Sequence, residues 1–323
     1  MNKKIIIEAV PNFSEGRNIE IIQSIAAAAK SVDGVTLIHV DPNPDANRTV
    51  YTLVGNPKSV INALYRMIAT AAETIDMRLH KGAHPRIGAC DVCPLIPIKH
   101  VDIAELQPYV HELAHILGQK LSIPVFLYEL SAQYDYKKNL ADIRKGEYEG
   151  LETKMQSSEW KSDNNVPFNS VTGATVLGVR PLLIAYNVNL ETEDVNIAKR
   201  IAAKMRYSSG GPFVGLKAIG WYMAKYGRSQ VSFNITDITA ISIAQVFEEV
   251  KKLAKTFNIE VNSSELIGLM SEECLKFALS YYNLSCDRKG EQSLIQMLGL
   301  DFLGSFDWDH RIIERLMKSK SQI

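Results

Sequence analysis

The chain alternates between short apolar runs and stretches in which apolar residues recur at helical spacing. Lys4 to Val10 is a β-branched, apolar run that predicts a buried strand, closing on the turn Pro11-Asn12-Phe13-Ser14-Glu15-Gly16. Asn18 can cap a following helix in which Ile19, Ile22, Ile25, Ala26 and Ala29 share one face. Gly34 to Asp41 and Arg48 to Gly55 read as the strands of a wide hairpin, with Pro42-Asn43-Pro44-Asp45-Ala46-Asn47 as its turn. Asn56 before Pro57 opens a second helix, carried by Val60, Ile61, Leu64, Met67, Ile68 and Ala71 and ending near Asp76. Cys90 to Ile98 is apolar again, but Pro94 and Pro97 predict an edge strand or one of irregular pairing. Asp102 and Glu105 have capping-box spacing for a third helix to about Leu121, and Pro124 to Tyr128 is a short strand.

This order is βαββαβ with an αβ appended, the split βαβ arrangement of ferredoxin-like folds. Lys137 to Trp160 is charged and mostly helical, whereas Lys161 to Arg180 has no clear period and reads as a domain junction. The order then recurs. Leu182 to Leu190 is a strand, Glu193 to Met205 a helix, Leu216 to Met223 and Gln230 to Thr236 a strand pair. Ile238 to Phe257 is a helix capped by Asp237, and Ile259 to Leu269 a strand before a helix beginning near Ser271. Ile5 to Asn12 sits against Leu182 to Asn189 as an internal echo. The expected architecture is α/β of the α+β kind: two ferredoxin-like βαββαβ subdomains, residues 1–178 and 179–323, with facing sheets and a ligand cleft between them.

Charge narrows the partners. With 36 Lys+Arg against 36 Asp+Glu the formal net charge is +0, which gives no field for a nucleic-acid backbone or an anionic membrane, so a small molecule is expected. Four cysteines are too few for a disulfide framework, and neither a signal peptide nor a membrane-spanning run is visible, which points to the cytoplasm.

The chemistry concentrates in Leu79-His80-Lys81-Gly82-Ala83-His84-Pro85-Arg86-Ile87-Gly88-Ala89-Cys90-Asp91-Val92. Gly82, Ala83, Gly88 and Ala89 allow close approach of a ligand to the backbone, Arg86 offers a fork for carboxylates, and His84 titrates near neutrality. A polar surface turn has the same composition. His80 and His84 stand four apart near Asp91, but Pro85, Gly82 and Gly88 oppose a helix, so a shared metal is disfavoured. Cys90 and Cys93 lie in an apolar run and read as buried, inert thiols.

Pro11 to Gly16, Asp41 to Tyr51 and His80 to Val92, followed by Glu147-Tyr148-Glu149, Leu183 to Asn189, Gly220-Trp221-Tyr222 and Gln230-Val231-Ser232, together resemble the glutamate formimidoyltransferase family, the formiminotransferase part of formiminotransferase-cyclodeaminase. The likeness spans nearly the whole chain, and with no cyclodeaminase segment after Ile323 it is to the stand-alone transferase. It implies a homodimer of paired α/β subdomains forming a folate-binding tunnel. The reaction implied moves a formimino group from N-formimino-L-glutamate to N5 of the co-substrate tetrahydrofolate in histidine breakdown, with no metal. By that resemblance His84 is the catalytic histidine, and Asp41 could orient it or balance the donor's cationic amidinium. Arg48 and Arg86 are candidates for the carboxylates of the donor or the folate tail, with surface ion pairs as the bland reading. Folate contacts map onto Asn164, Asn165, Val166, Pro167, Phe168, Asn169, Ser170, Val171, Thr172 and Gly173. A glutamate formyltransferase on the same fold, or a non-catalytic folate- or anion-binding module, are the alternatives.

Overall fold

The computed structural model describes residues 5–302 and 304–319 and falls into two compact units that meet between Pro181 and Leu182. Lys4, the expected start of the first strand, lies outside the described residues. The first unit runs β1 (Ile6–Ala9), β2 (Asn12–Phe13), α1 (Ile19–Lys30), β3 (Val35–Asn43), β4 (Arg48–Gly55), α2 (Pro57–Thr74), β5 (Cys90–Lys99), α3 (Ile103–Leu121), β6 (Val125–Leu127), α4 (Leu140–Arg144), α5 (Glu147–Met155) and β7 (Thr175–Val179). Its helices start where side chains can satisfy their first N–H groups. Asn18 accepts from Glu20 and Ile21, Asn56 from Ser59, and Asp102 forms the full capping box with Glu105. Ile19 is 56% exposed and lies outside the buried face of α1 formed by Ile22, Ile25, Ala26 and Ala29.

These strands make one sheet. β3 is at an edge beside β4, β1 and β2 both lie between β4 and β5, and β7 separates β5 from β6. Pairing is antiparallel except that β7 runs parallel to both β5 and β6. β5 is therefore an interior strand, and only the expected irregularity holds. The sheet accommodates the prolines by interruption: β1 stops at Ala9, the register shifts, and the Pro94 carbonyl accepts the Val10 N–H at 3.2 Å across the gap. The hairpin is also tighter than expected, because β3 continues through Pro42 and Asn43, with Asn43 opposite Arg48. The segment expected as a junction is part of the first sheet. β7 ends it, and before that Asp163 and Asn164 accept the N–H groups of Leu127 and Val125 at 2.7 and 3.0 Å, bracing the edge strand with side chains instead of a ladder. Bonding of that kind leaves no periodic pattern to read.

Helices α1 to α3 close over one large apolar cluster, while Val92 and Val176 face a smaller one with Ile143 of α4 and Leu151 of α5. Among the polar groups of β4, β2 and β5, Asp91 meets Arg144 of α4.

The second unit comprises β8 (Ile184–Leu190), α6 (Val195–Met205), β9 (Leu216–Met223), β10 (Arg228–Ile235), α7 (Ile243–Lys255), β11 (Ser263–Ile267), α8 (Glu272–Tyr281), α9 (Arg288–Leu298) and α10 (Ile313–Ser319). Its sheet is antiparallel in the order β11-β8-β10-β9. α7 begins later than expected. Asp237 instead caps a turn through Thr239 and Ala240, and Ser242 makes the capping box with Gln245.

Candidate active site of the first unit

The loop between α2 and β5 is gripped by the chain itself. A Cβ on Gly82 would stand 2.2 Å from the Ala46 carbonyl oxygen, and one on Gly88 2.1 Å from that of Ala174, so these glycines admit neighbouring backbone where a ligand was expected. Ala89 N–H donates to Thr172 at 2.8 Å, Ala174 N–H to Ile87 at 3.0 Å and Ser14 N–H to Ala89 at 2.8 Å, so the loop is stitched to β2 and to the chain entering β7.

His80 is buried. It lies 2.9 Å from the Asn47 carbonyl through Nε2, and its Nδ1 is 3.2 Å from the Arg86 Nε–H. A guanidinium only donates, so Nδ1 accepts and the ring is the neutral Nε2–H tautomer. Burial, reinforced by the Arg86 charge, lowers its pKa. Both nitrogens of this ring thus have partners within the chain, and among the described residues no three His, Cys, Asp or Glu side chains group as a metal set. Arg86, 4% exposed, spends its fork inside the protein. It donates to Glu147 at 2.9 Å and to both oxygens of Glu149 at 2.6 and 2.7 Å, and these carboxylates open α5, where the helix N-terminus favours anions.

That clamp has a pH signature. The Arg86 hydrogen bond holds Glu149 at about 2, against an ordinary value of 4.5. Its contribution is full above the unfolded value and is lost as pH falls from 4.5 toward 2. The Glu149 side chain is 52% exposed, so solvent screens the effect. Arg86→Lys, which loses the fork, is expected to make the urea midpoint less dependent on pH over that interval. An unchanged dependence would remove Glu149 from the clamp.

His84 is half-buried, with Nδ1 2.7 Å from the Pro85 carbonyl oxygen. Since the carbonyl only accepts, Nδ1 carries the proton and Nε2 the lone pair. Burial is the largest influence on its pKa, the guanidiniums of Arg48 and Arg144 add to it, and together they outweigh Asp91 and the Pro85 carbonyl. The ring is held well below the ordinary histidine value, and is neutral at cellular pH.

Asp91, on β5, is fully buried and acts electrostatically on this ring. Arg48 donates to it at 2.5 Å, Arg144 donates to the same oxygen, and Ile87 N–H donates to the other at 2.9 Å. Burial alone would raise the Asp91 pKa, but the guanidiniums of Arg144 and Arg48 reverse that and hold it far below the usual carboxylate range. Arg48 also donates to Asn12 Oδ1 at 3.0 Å. Thus Arg48, Arg86 and His84 come together in one region, with both arginines engaged by carboxylates of the chain. Asp41 sits inside β3 opposite Val50, not at a strand end, and the carboxylate with the strongest bearing on His84 is Asp91.

Asp91 and Arg144 were the groups that sequence reasoning left out of the site. A lone carboxylate within the apolar run Cys90 to Ile98 was the available signal, since a buried charge demands a partner. Cys90 and Cys93 are buried free thiols whose pKa values burial pushes up, in keeping with inert packing.

The segment Asn164 to Gly173 is held largely by its own side chains. Asn164 donates to Ala114 and Ile123, Asn169 donates to Ser122 while accepting from Val171 and Thr172, and Tyr148 donates to Ser170 at 2.5 Å. Asn164, Asn165 and Val166 border a pocket of about 460 Å³ along His111, His115 and Gln119 of α3.

Residues 6–180 match the N-terminal subdomain of the formiminotransferase domain, and residues 185–318 match the formiminotransferase domain. The glutamate formimidoyltransferase of Streptococcus pyogenes serotype M1 is 39% identical over 86% of this chain and 93% of its own length, and that of Thermoplasma acidophilum is 35% identical over 86% and 92%. The formimidoyltransferase-cyclodeaminase of Dictyostelium discoideum is 39% identical over 100% of this chain, which spans 62% of that relative's length. No helix among the described residues is long and apolar enough to cross a membrane. Matches to both halves in order, with a relative of similar length aligned almost throughout, show that the chain belongs to the formiminotransferase family.

Proposed function

We propose that this protein transfers the formimino group of N-formimino-L-glutamate to N5 of tetrahydrofolate, giving 5-formimidoyltetrahydrofolate and L-glutamate, as a step of histidine breakdown. The observation that carries the reading is the His84 imidazole, kept neutral with Nδ1–H on the Pro85 carbonyl and Nε2 as the basic nitrogen. Attack by N5 on the amidinium carbon gives a tetrahedral carbon bearing N5, the glutamate nitrogen and an amino group. Nε2 takes the N5 proton and returns it to the departing glutamate nitrogen, the two transfers a neutral imidazole can perform in sequence. Asp41 is assigned to the cationic amidinium, and Arg86 to holding His80 and α5 in place.

The same proposal takes Asn164 to Gly173 as the folate segment, supported by the pocket that its first residues border. It treats each unit as ferredoxin-like. β11-β8-β10-β9 in the second unit, and β3, β4, β1 and β5 in the first, follow the same order of neighbours. Homodimerisation comes with the family resemblance, and a cytoplasmic location with the reading of the sequence. Incubation with tetrahydrofolate and either formiminoglutamate or formylglutamate tests the reading. Glutamate release is expected with the formimino donor, and release confined to the formyl donor would replace it with a formyltransferase.

The pH profile follows from the site's charges. Because His84 is held below the ordinary 6.5, the acid limb of kcat/KM is expected below that value. Rate should fall again at high pH when the donor amidine loses its proton. A kcat/KM already halved at pH 7 on the acid side would count against His84 as the base.

A further inference from the structure

The two arginine clusters differ in charge balance. Arg86 is met by Glu147 and Glu149, whereas Arg48 and Arg144 share the single carboxylate of Asp91, which leaves that trio with a cation in excess. An excess cation out of water is unfavourable unless an anion completes it. Donors remain for one. Arg48 uses Nε on Asn12 and Nη1 on Asp91, and Arg144 uses Nε and Nη2 on Asp91, so among the described residues these bonds leave Nη2 of Arg48 and Nη1 of Arg144 as unused donors.

We propose that the Arg48–Asp91–Arg144 trio seats a substrate carboxylate, with Arg144 as a donor-binding residue. The proposal rests on the transferase reading above. A carboxylate could come from the donor or from the glutamate tail of folate, and chemistry favours the donor. Its α-carboxylate hangs from the carbon that bears the departing nitrogen, so it must lie close to the proton-transferring His84, on which both guanidiniums act. The folate tail is separated from N5 by the whole p-aminobenzoyl group. Asp91 then has a further role, holding both forks in position so that a planar carboxylate meets preset donors. The charged groups that act on His84 include Arg48 from β4, Arg144 from α4 and Asp91 from β5. An incoming α-carboxylate offsets the two cations, so the acid limb of kcat should lie at higher pH for the acid donor than for its α-amide, which carries the same amidinium.

The test compares N-formimino-L-glutamate with N-formimino-L-isoglutamine, whose α-carboxylate is an amide. In the parent, the acid should exceed the amide in kcat/KM by roughly tenfold or more, the scale of one charged hydrogen bond. Arg144→Gln should reduce that preference toward unity by losing much more activity on the acid than on the amide, and Arg144→Lys should restore part of it. Equal losses on both donors, or none on either, would overturn the assignment. The preference for tetrahydrofolate over tetrahydropteroate should be the same in parent and variant, and a loss confined to tetrahydrofolate would move the site to the folate tail. Calorimetry on the unsubstituted protein requires neither folding of a variant nor turnover. L-glutamate should bind more tightly than L-isoglutamine, and equal affinity sinks the carboxylate seat even if transfer is observed. Binding of L-glutamate with no transfer to any folate would instead sink the transferase reading and leave the seat standing.

Discussion

His84→Ala is expected to lower kcat for formimino transfer by about 100- to 10,000-fold, the range that one positioned acid–base group contributes. The loss should fall on kcat because Nε2 acts on protons that move only as the tetrahedral carbon forms and collapses. The fold should be little affected, since the half-buried ring lies in a loop whose hold on β2 and β7 runs through backbone groups of Ser14, Ile87, Ala89 and Thr172. Circular dichroism and tetrahydrofolate binding should therefore match the parent while glutamate release fails. His84→Gln is the sharper control, because it keeps a polar side chain but cannot shuttle a proton at neutral pH. Turnover of either variant within a few fold of the parent would take His84 out of the mechanism.

The parts of this architecture that were legible in the sequence are those decided locally. Asn18, Asn56 and Asp102 begin helices because each side chain bonds backbone N–H groups two or three residues ahead, and that information is complete in a short window. The place of β5 was not local. Its prolines argued for an edge or an irregular pairing, but its second neighbour is β7, a strand more than eighty positions on, paired Val92 to Val176. The start of α7 failed for another reason. Asp237 and Ser242 are both cap-forming residues, and only the intervening turn, which bonds to Asp237, decides between them.

In the site, His84 and the arginines stood out because polar groups in a glycine-rich loop are conspicuous. Their partners did not, since Asp91 is 43 positions from Arg48 and 53 from Arg144. Arg86 was read as a fork for the carboxylates of the donor or the folate tail. Its carboxylates in this structure are Glu147 and Glu149, from the first turn of a helix whose sequence reads only as charged.

Asp91→Asn is expected to destabilise the first unit by about 3–5 kcal/mol, the range for breaking a buried ion pair by removing one partner. Its amide oxygen could still accept the Ile87 N–H, so the loop contact can persist. The charge cannot. A buried guanidinium and a partly buried one would remain without their shared carboxylate, and the new amide hydrogens would add donors where acceptors are needed. At about 2–4 °C per kcal/mol for a domain of this size, the midpoint should fall by roughly 6–20 °C. Adding Arg144→Gln should recover part of the loss, because one of the two stranded cations is removed, and the pair should be distinctly non-additive. Removing Asp91 also withdraws the carboxylate that opposes the lowering of the His84 pKa, so any residual activity should show its acid limb at still lower pH. Thermal unfolding of the two single variants and the double decides it. Losses that simply add would mean that Asp91 and Arg144 do not act as one unit.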